Sequence, residues 1–364
     1  MALGRLRRGS FERVTLAVVA AAVLASTGLA STSLVAQADP AVDAGVDPTP
    51  WQLRVPSPGE DSNLPAAWFA SLRFPTRDPR GADDWSCRPS AEHPEPVILI
   101  HGTLDNAFDN WNGLSPILKD QGYCVFALNY GHSTGVAHIF GTGDMVAAAH
   151  EVAAFVDRVV EVTGAEHVAL VGHSQGGSQA RYVANRLLPP GLVDKVIALN
   201  PTNHPTTLSG LIVLADVLHL KPWVFRWLDD RGLPALPQQA SPDAPFFADL
   251  NAGPETVPGI AYTVIATRFD EIMTPYPQAF LKSAPGTTVD NILIQDVCPG
   301  DWSDHLSTSY SKNVAQIVLN KLDPDHPHAI ACHVQLPLVG STAHEPRWAT
   351  AGRALWRWLT STWS

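Results

Sequence analysis

The run His167 to Val183, HVALVGHSQGGSQARYV, limits what this chain can fold into more than any other stretch. An apolar segment from His167 to Val171 leads into Gly172-His173-Ser174-Gln175-Gly176, which fits G-x-S-x-G. Ala180, Val183, Ala184 and Leu187 then follow at helical spacing. Strand, sharp turn and helix in that order predict a nucleophile elbow. The serine of such a turn sits in a strained backbone conformation. The residues two before and two after it must let neighbouring backbones pass closely, which glycine permits because it lacks a Cβ. An ordinary βα turn with a surface serine would not need Ser174 between two placed glycines.

Other segments set the class of fold. Pro96 to Ile100, Tyr123 to Tyr130, Val196 to Leu199, Ala261 to Thr267 and Val289 to Gln295 read as further strands. Asp144 to Thr163 reads as a helix with Met145, Ala149, Val152, Val156 and Val159 on one stripe and Gly164 as its stop. A second helix, capped by Ser307 or Thr308, runs to Leu322. Continuous apolar strands alternating with helices predict an α/β fold with a mostly parallel central sheet flanked by helices. Asn203 to Pro258 breaks the rhythm with prolines and the apolar block LSGLIVLADVLHLKPWVFRWL, and reads as a cap-like insertion near the rim where such sheets bind ligands.

The ends of the chain read differently. Arg5, Arg7, Arg8 and Arg13 precede an uncharged, mostly apolar run from Val14 to Ala25, and Ala36-Gln37-Ala38 offers a cleavage site. Residues 1–38 are therefore expected to be a secretory signal peptide, with no transmembrane segment left in the mature chain. Residues 39–88 read as an extended N-terminal arm without periodicity. Residues 89–332 read as the catalytic domain, with 203–258 as its insertion, and 333–364 as a tail carrying Trp348, Trp356, Trp358 and Trp363. The net charge of −11 does not suit nucleic acid as a partner, and loss of an arginine-rich leader makes the rest more acidic still. Four cysteines in an exported chain favour disulfides. Of three possible pairings, Cys87 with Cys124 and Cys298 with Cys332 would close loops of similar size. No C-x-x-C pair or convincing acidic cluster suggests a metal, and no cofactor is expected.

Serine alone is a poor nucleophile at neutral pH. It needs a base to take its proton and an acid to orient that base. In folds built on an elbow the chain order is serine, acid, histidine, which Ser174, Asp270 and His305 satisfy. Glu271, Asp301 and Asp304 remain alternatives for the acid. Asp304 directly precedes His305, and adjacent side chains on an extended loop point apart, so it reads instead as shaping the loop through backbone hydrogen bonds. His132 and His138 read as pocket wall or surface. The His101-Gly102 turn after the first strand lies where a backbone N–H can complete an oxyanion hole.

Four stretches, ILIHGT at 98–103, VGHSQGG at 171–177, ATRFDEIMTPY at 266–276 and VCPGDWSDH at 297–305, resemble the class 2 type of secreted bacterial lipase in the α/β-hydrolase superfamily. The chain is more distantly similar to fungal lipase B. The resemblance runs from about Cys87 to Cys332. It implies Asp270 as the acid, His305 as the base, backbone N–H groups of Thr103 and Gln175 as oxyanion donors, and the same two cysteine pairs. The N-terminal arm differs, and the tryptophan-rich insertion and tail have no counterpart. The activity this implies is ester hydrolysis through an acyl-enzyme on Ser174, with acylglycerols as substrate, met at a lipid–water interface. Other readings are a short-chain or polyester esterase, an acyltransferase, or a binding protein on an inactive scaffold.

Overall fold

Six β-strands form one sheet in the order β2-β1-β3-β4-β5-β6, and every neighbouring pair is parallel. They are β1 (Val97–Ile100), β2 (Val125–Leu128), β3 (Val168–His173), β4 (Val193–Leu199), β5 (Ala261–Ala266) and β6 (Thr288–Leu293). The computed structural model describes residues 63–74 and 76–340, together with Val46, Asp47, Thr49, Trp51 and Leu53. The expected signal peptide and the four tail tryptophans lie outside the described residues. Among those residues, no helix is long and apolar enough to cross a membrane.

Strands β1, β2, β3 and β5 read as apolar runs because both sheet faces are covered there, whereas β4 carries Asp194 and Lys195 near its start and the edge strand β6 is partly exposed. Alternation sends Ile98, Ile100, Phe126, Val168, Leu170, Val196 and Val264 into one cluster. Val97, Leu99, Val125, Ala169, Val171, Ile197 and Ile265 go into the other. The helix Met145–Thr163 packs Met145, Ala149, Val152, Val156 and Val159 on the first face. Its ends match the sequence: Asp144 caps two N–H groups, and Gly164 ends it at φ 70°. Helix Lys312–Leu322 covers the second face with Val314, Ile317, Val318 and Leu322.

Several elements depart from the sequence reading. The last helix is capped by Ser311, which accepts from Asn313 and Val314, while residues 308–310 form a separate 3₁₀ turn. Residues Ile294–Val297 curl into one helical turn instead of prolonging β6. The arm contains a real helix, Leu64–Arg73, started by Asn63, whose side chain accepts from Ala66 N. Its buried contacts are only Ala67 and Ser71, which explains why no apolar stripe announced it. The insertion folds as four short helices, Leu211–Val217, Lys221–Asp229, Ala235–Gln239 and Pro245–Leu250.

Both expected cysteine pairs are bonded, Cys87 to Cys124 with Cα atoms 5.8 Å apart and Cys298 to Cys332 at 5.4 Å. The first ties the approach to β1 to the start of β2. The second anchors the far side of the loop that carries His305.

Candidate active site

The chain leaves β1 for β2 on one side, then returns to place β3 on the other side of β1. That reversal opens a crevice at the carboxyl ends of β1 and β3. Ile100 pairs with Gly172, so the His101-Gly102-Thr103 loop and the elbow start side by side. Ser174 has φ 55° and ψ −124°, a conformation costing about 1–3 kcal/mol that its surroundings must hold. A Cβ on Gly172 would run into the Gly176 carbonyl, and one on Gly176 into the carbonyls of Ile100 and His101. Both glycines are therefore required by backbone contact. All eight residues of the elbow helix, Gln175–Tyr182, are buried.

The structure brings Ser174, His305 and Asp270 into one line. His305 Nε2 lies 2.8 Å from Ser174 Oγ, and His305 Nδ1 lies 2.9 Å from each Asp270 carboxylate oxygen. All three residues are buried. Asp270 Oδ1 also accepts from Ile272 N at 2.9 Å and Met273 N at 2.6 Å, so the loop after β5 fixes the carboxylate before the imidazole meets it. Burial alone would push the His305 imidazole down. The opposing charge and hydrogen bond of Asp270, with help from Glu271 and Asp105, bring it up to about 8.

The other acids take different places. Asp304 accepts from Ser307 N and Oγ and from Leu338 N, holding the loop as its position suggests. Asp301 accepts from Ser303 N, Ser311 Oγ and Asn313 Nδ2. Glu271 accepts from His305 N at 3.2 Å through Oε2, while its other oxygen is buried with no partner among the described residues. Burial, opposed by the nearby His305, pushes its carboxyl up to about 7. His132 is exposed against the Phe140 ring, and His138 contributes its carbonyl to Asn106.

Thr103 and Gln175 stand at the ends of the paired strands β1 and β3, and neither backbone N–H meets a backbone acceptor among the described residues. The Gln175 side chain is not spare: it donates to Gly141 O and accepts from Tyr130 Oη. Sequence reasoning missed three further supports. His173 Nε2 donates to the His305 carbonyl at 2.8 Å, and Asn110 Oδ1 accepts from Gly102 N at 2.8 Å. Burial pushes its imidazole down to about 3, so it stays neutral. Gln295 accepts from Arg268 N and donates to Thr267 Oγ1 and Asp301 O, which joins the acid loop to the base loop. Gln239, in the insertion, donates to Thr103 Oγ1 at 2.8 Å. The histidine inside G-x-S-x-G was a signal within view; the two glutamines act across chain separations no local pattern reveals.

The chain has the α/β-hydrolase fold: residues 95–248 match the family model described as "alpha/beta hydrolase fold". Among its relatives are a triacylglycerol lipase of Pseudarthrobacter phenanthrenivorans, 32% identical over 132 residues covering 35% of this chain and 38% of that protein. Another is a triacylglycerol lipase of Burkholderia plantarii, also 32% identical, over 35% of this chain and 34% of that protein. The chain thus spans only about a third of the curated relatives it matches. The crystal structure of Aspergillus fumigatus lipase B shares the fold, with TM-score 0.52 and 22% identity over 71% of this chain and 58% of that one.

Proposed function

We propose that this protein is a serine carboxylic-ester hydrolase. The observation that carries the reading is the buried line from Asp270 through His305 to Ser174, with the N–H groups of Thr103 and Gln175 read as the oxyanion donors. Ser174 Oγ attacks the ester carbonyl while His305 Nε2 takes its proton, and the oxygen that becomes negative is held by the two N–H groups. Collapse expels the alcohol, which receives the proton from His305 and leaves an acyl group on Ser174. Water, deprotonated by His305, then attacks the acyl-enzyme, and collapse releases the acid as His305 returns the proton to Ser174 Oγ. Asp270 keeps Nδ1 protonated throughout and stabilises the imidazolium form.

Within that class the reading is a triacylglycerol lipase, supported by the names of the relatives and by the insertion. Val213, Leu214, Val217, Leu218 and Trp223 are all more than half exposed, an apolar surface suited to emulsified acylglycerol. Secretion is the accompanying proposal, supported by the leader-like first 38 residues and the two disulfides. A fluorophosphonate probe tests the chemistry, and initial rates across acyl lengths on soluble and emulsified esters test the substrate. Labelling should be lost in Ser174→Ala and rates should favour emulsified long chains; an unlabelled wild type sinks the hydrolase reading, and a soluble short-chain preference sinks the lipase one.

A further inference from the structure

Asp270 and Glu271 hold one histidine at two points. Asp270 takes the ring of His305 at Nδ1, and Glu271, the next residue, takes its main chain, with Oε2 accepting from His305 N at 3.2 Å. Consecutive side chains converge here because the chain turns at once after Asp270, whose Oδ1 accepts from Ile272 N and Met273 N. The main chain of Glu271 is fixed separately. Its carbonyl accepts from Ser209 Oγ at 2.8 Å, at the start of the insertion.

Glu271 is poorly satisfied as an anion. Oε2 has one N–H donor, and Oε1 is buried with no hydrogen-bond partner among the described residues. A buried carboxylate in that state needs a cation to offset the water it has lost. Of the groups that face Glu271, Asp270 and Asp304 repel a charge on it and His305 attracts one. The groups that face His305 in turn are Asp270, Glu271 and Asp105, with His173 kept neutral by burial. The cation that completes the surroundings of Glu271 is therefore the imidazolium that His305 becomes on taking the serine proton.

We propose that Glu271 is a positioning residue for the base: its carboxylate grips the main chain of His305 and places a second negative charge against the imidazolium. This rests on the reading of His305 as the base that serves Ser174. The two acids then set different properties of one side chain. Asp270 fixes the tautomer, which needs a hydrogen bond to the ring. Glu271 makes its hydrogen bond to the backbone instead, so it acts on the ring through its charge and through the loop. That charge is least favourable while His305 is neutral and is relieved as the proton arrives, which favours the transition state over the ground state. Its effect belongs in kcat and in the pH profile and not in KM.

The test compares wild type, Glu271→Gln and Glu271→Ala by kcat and KM on a soluble p-nitrophenyl ester across about pH 5 to 10, and follows the His305 ring by NMR over the same range. Active sites are counted by fluorophosphonate titration, so misfolded molecules do not enter kcat. Glutamine keeps an acceptor for His305 N and removes the charge; alanine removes both. An anion beside an imidazole raises its pKa, so loss of the anion lowers it. In Glu271→Gln the acid limb of kcat/KM and the His305 titration should both move down from about 8, by about 1 pH unit. Plateau kcat should fall about fivefold, with KM within about twofold. Glu271→Ala should show the same displacement and a further loss of roughly tenfold in kcat as the grip on the main chain goes. A Glu271→Gln profile that superimposes on wild type, a loss confined to KM, or lower kcat in both variants with an unmoved midpoint would overturn the proposal. A wild type that neither turns over ester nor takes up the probe would overturn the reading of the site. The His305 titration needs no substrate, so it reports on Glu271 independently of that outcome.

Discussion

The elbow helix and the helices Leu211–Val217 and Lys221–Asp229 are opposites. Every residue of the first is buried; neither of the other two buries a single residue. The elbow is enclosed because its strained serine must be held by backbone contacts on all sides. The outer helices are half-covered because nothing in the sheet needs their apolar side chains. The proposed chemistry is thus built on the least adaptable part of the molecule, and the surface proposed to meet substrate on the most. The join is the helix Ala235–Gln239, which belongs to the insertion but is packed like the core.

Substitutions in the enclosed half should produce the largest effects. Ser174→Ala should lower kcat on any ester by about a millionfold with the fold intact, read by turnover beside circular dichroism. Asp270→Asn should cost about 10⁴-fold in kcat, because the amide no longer enforces the right tautomer of His305. A smaller, graded effect comes from pH. His305 must be neutral to take the serine proton and is brought up to about 8, so kcat/KM should fall about tenfold per pH unit below that value and level off above it. A profile already flat at pH 6 would break the assignment of His305 as the buried base held by Asp270.

Two further tests compare the halves through stability. Leu170→Ala, in fully buried β3, should lower unfolding stability by about 3 kcal/mol in urea melts. Trp223→Ser, at a side chain 60% exposed, should shift it by no more than about 0.5 kcal/mol. The same change should lower the ratio of emulsified to soluble ester turnover by a few-fold. If Trp223→Ser destabilises like Leu170→Ala, the outer helices are core after all and the contrast fails.

The sheet was legible because strands buried on both faces leave continuous apolar runs, and the elbow because two glycines flank its serine at fixed spacing. The residues proposed as base and acid were legible through chain order and through the resemblance that the DE and DH pairs carry. Less visible were features that depend on distant partners. Ser311 outcompetes Ser307 and Thr308 as a cap because Ser307 and Thr308 are already engaged with Asp304. The arm helix depends on its cap and on Ser71 bonding Asp109, 38 residues away. Gln239 meets Thr103 across 136 residues, a distance at which local pattern says nothing.

The order of the strands has a consequence in time. Ser174 leaves the ribosome well before Asp270 and His305, which belong to loops after β5 and β6. Until that last part of the chain emerges, the nascent protein carries a serine with neither base nor acid and cannot attack an ester. The newborn chain lacks the proposed triad, which is complete only when the loops after β5 and β6 are in place.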